Sequence, residues 1–301
     1  MNYTKQLSER INSDITKLDF NNEPRNLYDP IRYTLDSGGK RIRPALCIMA
    51  AELFGGKYED VIDAAMGIET FHNFTLIHDD IMDKSLERRG KETVHKKWNT
   101  DIAILSGDAM SVLALKFVAK VRNFDILEIF TQTAIEICEG QQYDMDFEKR
   151  LDVSEQEYLE MIRLKTSVLL AASLKTGSML AKASIEECEN LYNLGINVGM
   201  AFQLQDDFLD TYGDVNTFKK GKLGNDIFSN KKTFLLIKAL ENASPQLKEE
   251  LVHWLNIEDF DRDEKFNAVK KIFDNLQVKE DSEKLINDYF KKAEINIDNI
   301  G

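Results

Sequence analysis

The sequence predicts an all-α protein, and three observations carry that reading. Only four prolines occur among 301 residues, and none lies between Pro44 and Pro245. Proline breaks helices, so residues 45–244 are free to run as helix after helix. Apolar residues recur there at i, i+3, i+4 and i+7, the spacing of a helix face. Strand-like alternation bounded by turn residues is scarce.

Taken in chain order, "VIDAAMGIETFHNFTLIHDDIMD" (61–83) is the first long helix, its small residues allowing close approach by a neighbour. "EYLEMIRLKTSVLLAASLKTG" (157–177) reads as a second, with "SVLLAASLKTGSMLA" continuing its apolar face. "ECENLYNLGINVGMAFQLQDDFLDTYG" (187–213) reads as a third. Loops are predicted at "FGGKYED", "KSLERRGKETVHKKWNTD", "YGDVNTFKKGKLGNDIFSNKK" and "LNIEDFDRDEKF", rich in Gly, Asn, Asp and Lys. No linker or low-complexity tract divides the chain, so residues 1–301 are read as one domain.

Hydrophobic residues make up 43% and charged residues 30%, with a net charge of −13. Nucleic acid and anionic membranes would repel such a chain, which excludes them as partners. No apolar run approaches the roughly 20 residues of a bilayer span. "MNYTKQLSERINSD" lacks the basic and apolar regions of a secretory signal. Cys47, Cys138 and Cys188 are odd in number and far apart, which suits reduced thiols in a cytoplasmic protein.

Two stretches repeat one another: "LIHDDIMD" (76–83) and "LQDDFLD" (204–210). On a helix, Asp79 and Asp83 lie about 40° apart on one face with Asp80 beside them, and Asp206, Asp210 and Asp207 repeat the arrangement. Like charges this close repel and would raise one another's pKa. Hard divalent cations remove the difficulty, because Mg²⁺ accepts carboxylate oxygens, keeps waters and shares phosphate oxygens with a ligand. A solvated acidic face is the alternative. The apolar neighbours and the second copy count against it, and the spacing and glycine of a calcium loop are missing. Magnesium held twice calls for an anion such as diphosphate. Matching cations occur in "GGKRIRP" (Lys40, Arg41, Arg43), in "RRG" (Arg88, Arg89), and at Lys165, Lys222 and Lys231. His72 lies two turns before Asp79 on the same stripe.

Together, "GGKRIRP", "FHNFTLIHDDIMD", "ERRGKETVH", "AILSGDAM", "EGQQYD", "RLKTS", "FQLQDDFLD" and "GKLGNDI…NKK" closely resemble the trans-isoprenyl diphosphate synthases, in order from about residue 28 to 235. The resemblance implies a single large helical bundle around a deep central cavity, the isoprenoid synthase type I fold, with the two aspartate motifs facing across it. It implies three Mg²⁺ ions holding an allylic diphosphate. Asp79, Asp83 and Asp206 would be direct ligands, and Asp80, Asp207 and Asp210 outer partners. Arg88, Lys165, Gln203, Lys222 and Lys231 would contact that diphosphate. Isopentenyl diphosphate would bind without metal at Lys40, Arg43, His72 and Arg89. Thr166, Gln141 and Asp144 match positions near the reacting carbons and metal cluster. The family is typically homodimeric, with residues 100–135 as candidate interface. Glu92 stands where many members have proline, which leaves the loop's conformation open.

Product length in such enzymes is set beneath the first motif. Thr75 is small, whereas Phe74 and Phe71 sit roughly 7.5 and 12 Å deeper along the helix. The rings would stop a growing tail, or simply fill core. The lean is to C20 geranylgeranyl diphosphate, with C15 farnesyl diphosphate close behind. A terpene cyclase and an inactive partner subunit are the rivals. "GGKRIRP" with two intact motifs favours chain elongation over both.

Overall fold

Helix follows helix, as the proline-free stretch requires. A computed structural model of the chain describes residues 3–214 and 223–300. Two units can be distinguished: Met1–Gln132 with Ala172–Tyr192, and Thr133–Ala171 with Asn193–Gly301.

The first unit opens with α1 (Tyr3–Thr16), α2 (Arg25–Leu35), α3 (Ile42–Leu53) and the long α4 (Tyr58–Met82). A two-residue hairpin follows, β1 (Glu87–Arg88) pairing antiparallel with β2 (Lys91–Glu92), then α5 (Val94–Lys97), α6 (Thr100–Lys120) and the start of α7 (Phe124–Phe147). α4 packs against α3 and α6. Gly67 permits that approach, because a Cβ there would stand 2.7 Å from Val118 Cγ2 and 3.0 Å from the Ala114 carbonyl oxygen. α6 also corrects an expectation. It is 21 residues long and apolar enough to cross a membrane by length and composition, since Asp108 interrupts the apolar run without ending it. It packs on α2, α4 and α5, with Ala103, Met110, Ala114 and Val118 buried.

In the second unit α8 (Glu155–Ile162) starts from a capping box built by Ser154 and Glu157. It runs through a π-helical turn, Arg163–Ser167, into α9 (Val168–Leu180), whose residues from Ala172 onward belong to the first unit, as do those of the next helix up to Tyr192. α10 (Ile185–Tyr212), α11 (Asn225–Phe228), α12 (Phe234–Asn242), α13 (Pro245–Asn256), α14 (Arg262–Asn275) and α15 (Val278–Asp298) complete the chain. One apolar cluster joins Tyr158, Met161, Met200, Leu204, Phe234 and Ile286; a second joins Leu235, Leu236, Leu251, Val269 and Phe273. The three long helices predicted from spacing are all present. What spacing could not show is the π turn inside the second and the hairpin inside a predicted loop.

Gly177 on α9 lies so close to α3 that a Cβ would overlap the Cys47 carbonyl oxygen. Backbone cannot move aside as a side-chain tip can. Gly177→Ala is therefore expected to lower unfolding free energy by about 1–3 kcal/mol. An unchanged urea midpoint would refute this close packing.

Candidate active site

α4 presents its aspartates unequally. Asp80 is only 4% exposed, whereas Asp79 is half-buried and Asp83, the C-cap, is exposed. Asp80 is held by a bidentate arginine: Arg88 Nε donates to both carboxylate oxygens at 2.9 Å, and Nη2 lies 2.8 Å from Oδ1. The hairpin brings Arg88 there. Its turn places Arg89 (φ 56°) and Gly90 (φ 73°) in left-handed conformations, the requirement of a type I′ turn. Glu92 closes the second strand, pairing with Glu87, and Tyr33 Oη donates to its carbonyl at 2.9 Å.

The glycine loop lies against that turn. Arg89 Nη1 donates to the Gly38 carbonyl, and a Cβ on Gly39 would sit 3.0–3.1 Å from the Arg89 guanidinium. Only glycine allows this approach. Lys40 is exposed. Arg43 Nη1 donates to His72 Nε2 at 3.1 Å, while Arg43 Nε is buried without a partner. Burial lowers the Arg43 pKa to about 10, so it remains charged at neutral pH. An arginine has no acceptor, so His72 accepts at Nε2 and carries its proton on Nδ1. Burial, then Arg43, Arg89 and Arg88, hold the His72 pKa well below its usual value. This corner collects positive charge, a neutral imidazole and an unsatisfied buried donor, which together suit an anion.

Spacing does not show the partners of Arg41, the cation of "GGKRIRP" that the family resemblance leaves without a substrate role. It is buried. Its Nη1 meets Glu69 Oε1 at 2.6 Å, Nη2 donates to the Leu35 carbonyl at 2.6 Å, and Nε to Asn12 Oδ1 at 2.9 Å. Asn73 Nδ2 also donates to Glu69 Oε1, at 2.9 Å. Arg41 adopts φ 49° as the N-cap of α3, so this network fixes the backbone between Lys40 and Arg43.

Below the first motif, Thr75 Oγ1 donates to the His72 carbonyl at 2.8 Å. Phe74 contacts Phe71 (5.3 Å between ring centres) and His78 (4.7 Å), and Phe71 meets Phe130 at 5.3 Å. Phe71 is buried and Phe74 half-buried.

The second unit repeats the unequal presentation. Asp207 is 2% exposed and receives Tyr158 Oη at 2.5 Å, Gln203 Nε2 at 3.0 Å and Lys231 Nζ at 3.4 Å. Asp210 is buried, with Oδ2 accepting from the Asp226 backbone N–H at 2.9 Å. Asp206 is half-buried. Asp207, with Asp226, Asp144 and Asp206 behind it, raises the Lys231 pKa. Lys165 and Thr166 lie on the π turn. Lys165 Nζ meets Asp144 Oδ2 at 2.6 Å, and Thr166 Oγ1 donates to Gln203 Oε1 at 3.1 Å. Gly140 and Gly199 admit the π turn, since added Cβ atoms would stand 2.5 Å from Lys165 N and 2.6 Å from Ser167 Cα. Gln141 is buried one residue further along α7. Lys222 lies outside the described residues. Nothing in the sequence pattern marked Tyr158, which has no charge and sits at a core spacing; Asp226 could have been found from the "GNDI" motif.

Among the described residues no three Asp, Glu, His or Cys side chains form a ready-made metal cage. Mg²⁺ needs none, since it is held by one or two carboxylates with waters and substrate phosphates. The donor set fits: Asp79 and Asp206 are half-buried and Asp83 is exposed, all oxygen donors within reach of solvent.

His72 sets a pH dependence. The unfolded side chain takes up a proton near its ordinary pKa of 6.5, the folded one only well below it. Between the two, the unfolded state binds more protons, so stability is present at neutral pH and falls as pH drops, by up to about 1.4 kcal/mol per unit. Unfolding free energy should therefore decline more steeply below about pH 6.5 in the wild type than in His72→Gln. Parallel profiles would show that His72 titrates normally.

The Polyprenyl synthetase family model matches residues 24–273. A geranylgeranyl diphosphate synthase of Methanosarcina mazei is 43% identical over 244 residues, 79% of this chain and 75% of that protein. A short chain isoprenyl diphosphate synthase of Methanothermobacter thermautotrophicus is 40% identical over 256 residues, 83% and 77% of the two chains. A crystal structure of a geranylgeranyl pyrophosphate synthase superposes with a TM-score of 0.93 at 43% identity, covering 100% of this chain and 94% of that one. With paired aspartate motifs on an all-α scaffold, the chain belongs to the polyprenyl synthetase family.

Proposed function

We propose that this chain is a prenyltransferase condensing isopentenyl diphosphate head to tail with dimethylallyl, geranyl and farnesyl diphosphates, ending at all-trans C20 geranylgeranyl diphosphate. The observation that carries it is the division of labour within each DDxxD motif. Asp80 and Asp207 are buried against protein donors, whereas Asp79 and Asp206 beside them are half-buried and Asp83 is exposed. Relatives about 40% identical that are named for C20 synthesis support the product length over C15.

The family generally uses Mg²⁺, and here Asp79, Asp83 and Asp206 would hold it, with Asp80, Asp207 and Asp210 behind them. When bound, the three ions would neutralise charge growing on the departing diphosphate. The chain's own groups add to this. Arg88, Lys165, Lys231 and Lys222 donate to the allylic diphosphate, so that the C–O bond ionises. Lys40, Arg43, Arg89 and the neutral His72 hold isopentenyl diphosphate, the unpartnered Arg43 Nε supplying one donor. Thr166 and Gln203, linked to each other, direct their oxygens at the allylic cation, whose attack by the isopentenyl double bond adds five carbons. The proton then lost goes to released diphosphate. Apolar walls keep water from the cation. Exposed Leu105, Val112 and Phe124 support the expected homodimer, and the charge balance suits a cytoplasmic enzyme.

Phe74, backed by Phe71, is the floor for the growing tail. Incubation with Mg²⁺, labelled isopentenyl diphosphate and each allylic primer should give products ending at C20 by mass spectrometry. Phe74→Ala should shift them by one or more isoprene units. No elongation from any primer would sink the prenyltransferase reading, and an unchanged product from Phe74→Ala would sink the floor.

A further inference from the structure

The second unit buries Lys265 more completely than any other lysine described there, and the chemistry above leaves it idle. Lys265, on α14, has 0% of its surface exposed. Its Nζ donates to Asn230 Oδ1 at 2.9 Å and lies 4.2 Å from the centre of the Phe260 ring. One neutral acceptor and one aromatic face offset little of the cost of taking an ammonium out of water. Burial accordingly lowers its pKa from the ordinary lysine value. If α14 needed only packing at this position, an apolar side chain of similar length would serve at lower cost.

What Lys265 grips is a turn. Asn230 is left-handed (φ 55°) in the segment joining α11 to α12. Its side chain is held at both ends, Oδ1 by Lys265 and Nδ2 by donation to the Leu255 carbonyl at 2.9 Å. The next residue is Lys231, whose Nζ lies 3.4 Å from Asp207 Oδ1 and 3.8 Å from Asp226 Oδ1. Backbone bonds close this turn, Lys231 N–H donating to the Asp226 carbonyl at 2.9 Å and Asn230 N–H to the Ile227 carbonyl at 3.3 Å. The Lys265–Asn230 bond ties the closed turn to α14.

We infer that Lys265 is a positioning residue for the allylic diphosphate: through Asn230 it anchors to α14 the left-handed turn that aims the Lys231 ammonium at the second aspartate motif. This rests on the reading that Lys231 contacts that diphosphate. It extends the working site to a helix that carries no motif of its own.

Two variants test it. Lys265→Met keeps length and apolar packing while removing the donor. Asn230→Gly keeps the left-handed backbone accessible and removes the acceptor. Each is checked for folding by thermal melting, and steady-state kinetics are measured with each substrate varied in turn. The expected result is an allylic KM raised about tenfold in either variant, an isopentenyl diphosphate KM within about twofold of wild type, and a double variant no worse than the single ones. Folded Lys265→Met with both KM values unchanged overturns the inference, and so does an equal rise in both, which would indicate general loosening. If Lys265→Met does not fold, Asn230→Gly decides by the same two constants. Wild-type protein that elongates no primer would overturn the prenyl-transfer reading and this inference with it, which keeps the two failures distinct.

Discussion

Each aspartate motif contains a carboxylate buried against polar donors, and supplying those donors dictates what surrounds it. Burying a carboxylate is costly unless it is paired and hydrogen-bonded. Asp80 is met by the fork of Arg88, a geometry that lysine cannot supply. Delivering that fork requires the hairpin, and the hairpin's left-handed turn sets Arg89 on the glycine loop. Asp207 uses a hydroxyl, an amide and an ammonium instead, one from each of three segments.

The same logic explains why charged groups appear deep in the first unit without taking part in chemistry. Arg41 and Glu69 are both nearly inaccessible, and their pairing leaves neither uncompensated. Removing either partner would strand a buried charge, at a cost of about 3–5 kcal/mol. In exchange the backbone is fixed in a conformation an L-residue rarely adopts, between two cations assigned to substrate. Lysine at position 40 faces solvent and arginine at 43 turns inward because residue 41 between them is anchored.

Fold class and both aspartate helices were legible in the sequence because they rest on local rules: proline exclusion, apolar spacing and a repeated motif. The division between Asp79 and Asp80 was legible only through family resemblance, since adjacent aspartates look alike until a partner is in place. Tyr158 and Asn230 were illegible for a related reason. Each acts by touching a residue distant in sequence, and neither carries a charge; Asn230 opens the "NKK" stretch, but only its lysines draw the eye. The π turn escaped as well. "RLKTS" has good helical spacing, and the extra residue is accommodated by Gly140 and Gly199 on other helices, which no local pattern reveals.

A chain of net charge −13 that binds diphosphates meets an apparent contradiction, which range resolves. At physiological ionic strength the Debye length is about 8 Å, so the distant acidic surface contributes little at the site. What counts there are groups within a few ångströms, and these are positive: Arg43, Arg88 and Arg89 around His72, all named in the depression of its pKa. Were His72 protonated, it would add a further charge to a cluster that already repels itself. Kept neutral, it accepts from Arg43 and leaves that guanidinium oriented, with Nε unsatisfied. The acidity of the remainder discourages nucleic acid and anionic lipid, competitors that offer the same phosphate chemistry on larger surfaces. Selectivity for a small diphosphate thus comes from placing positive charge where only a small ligand can reach it.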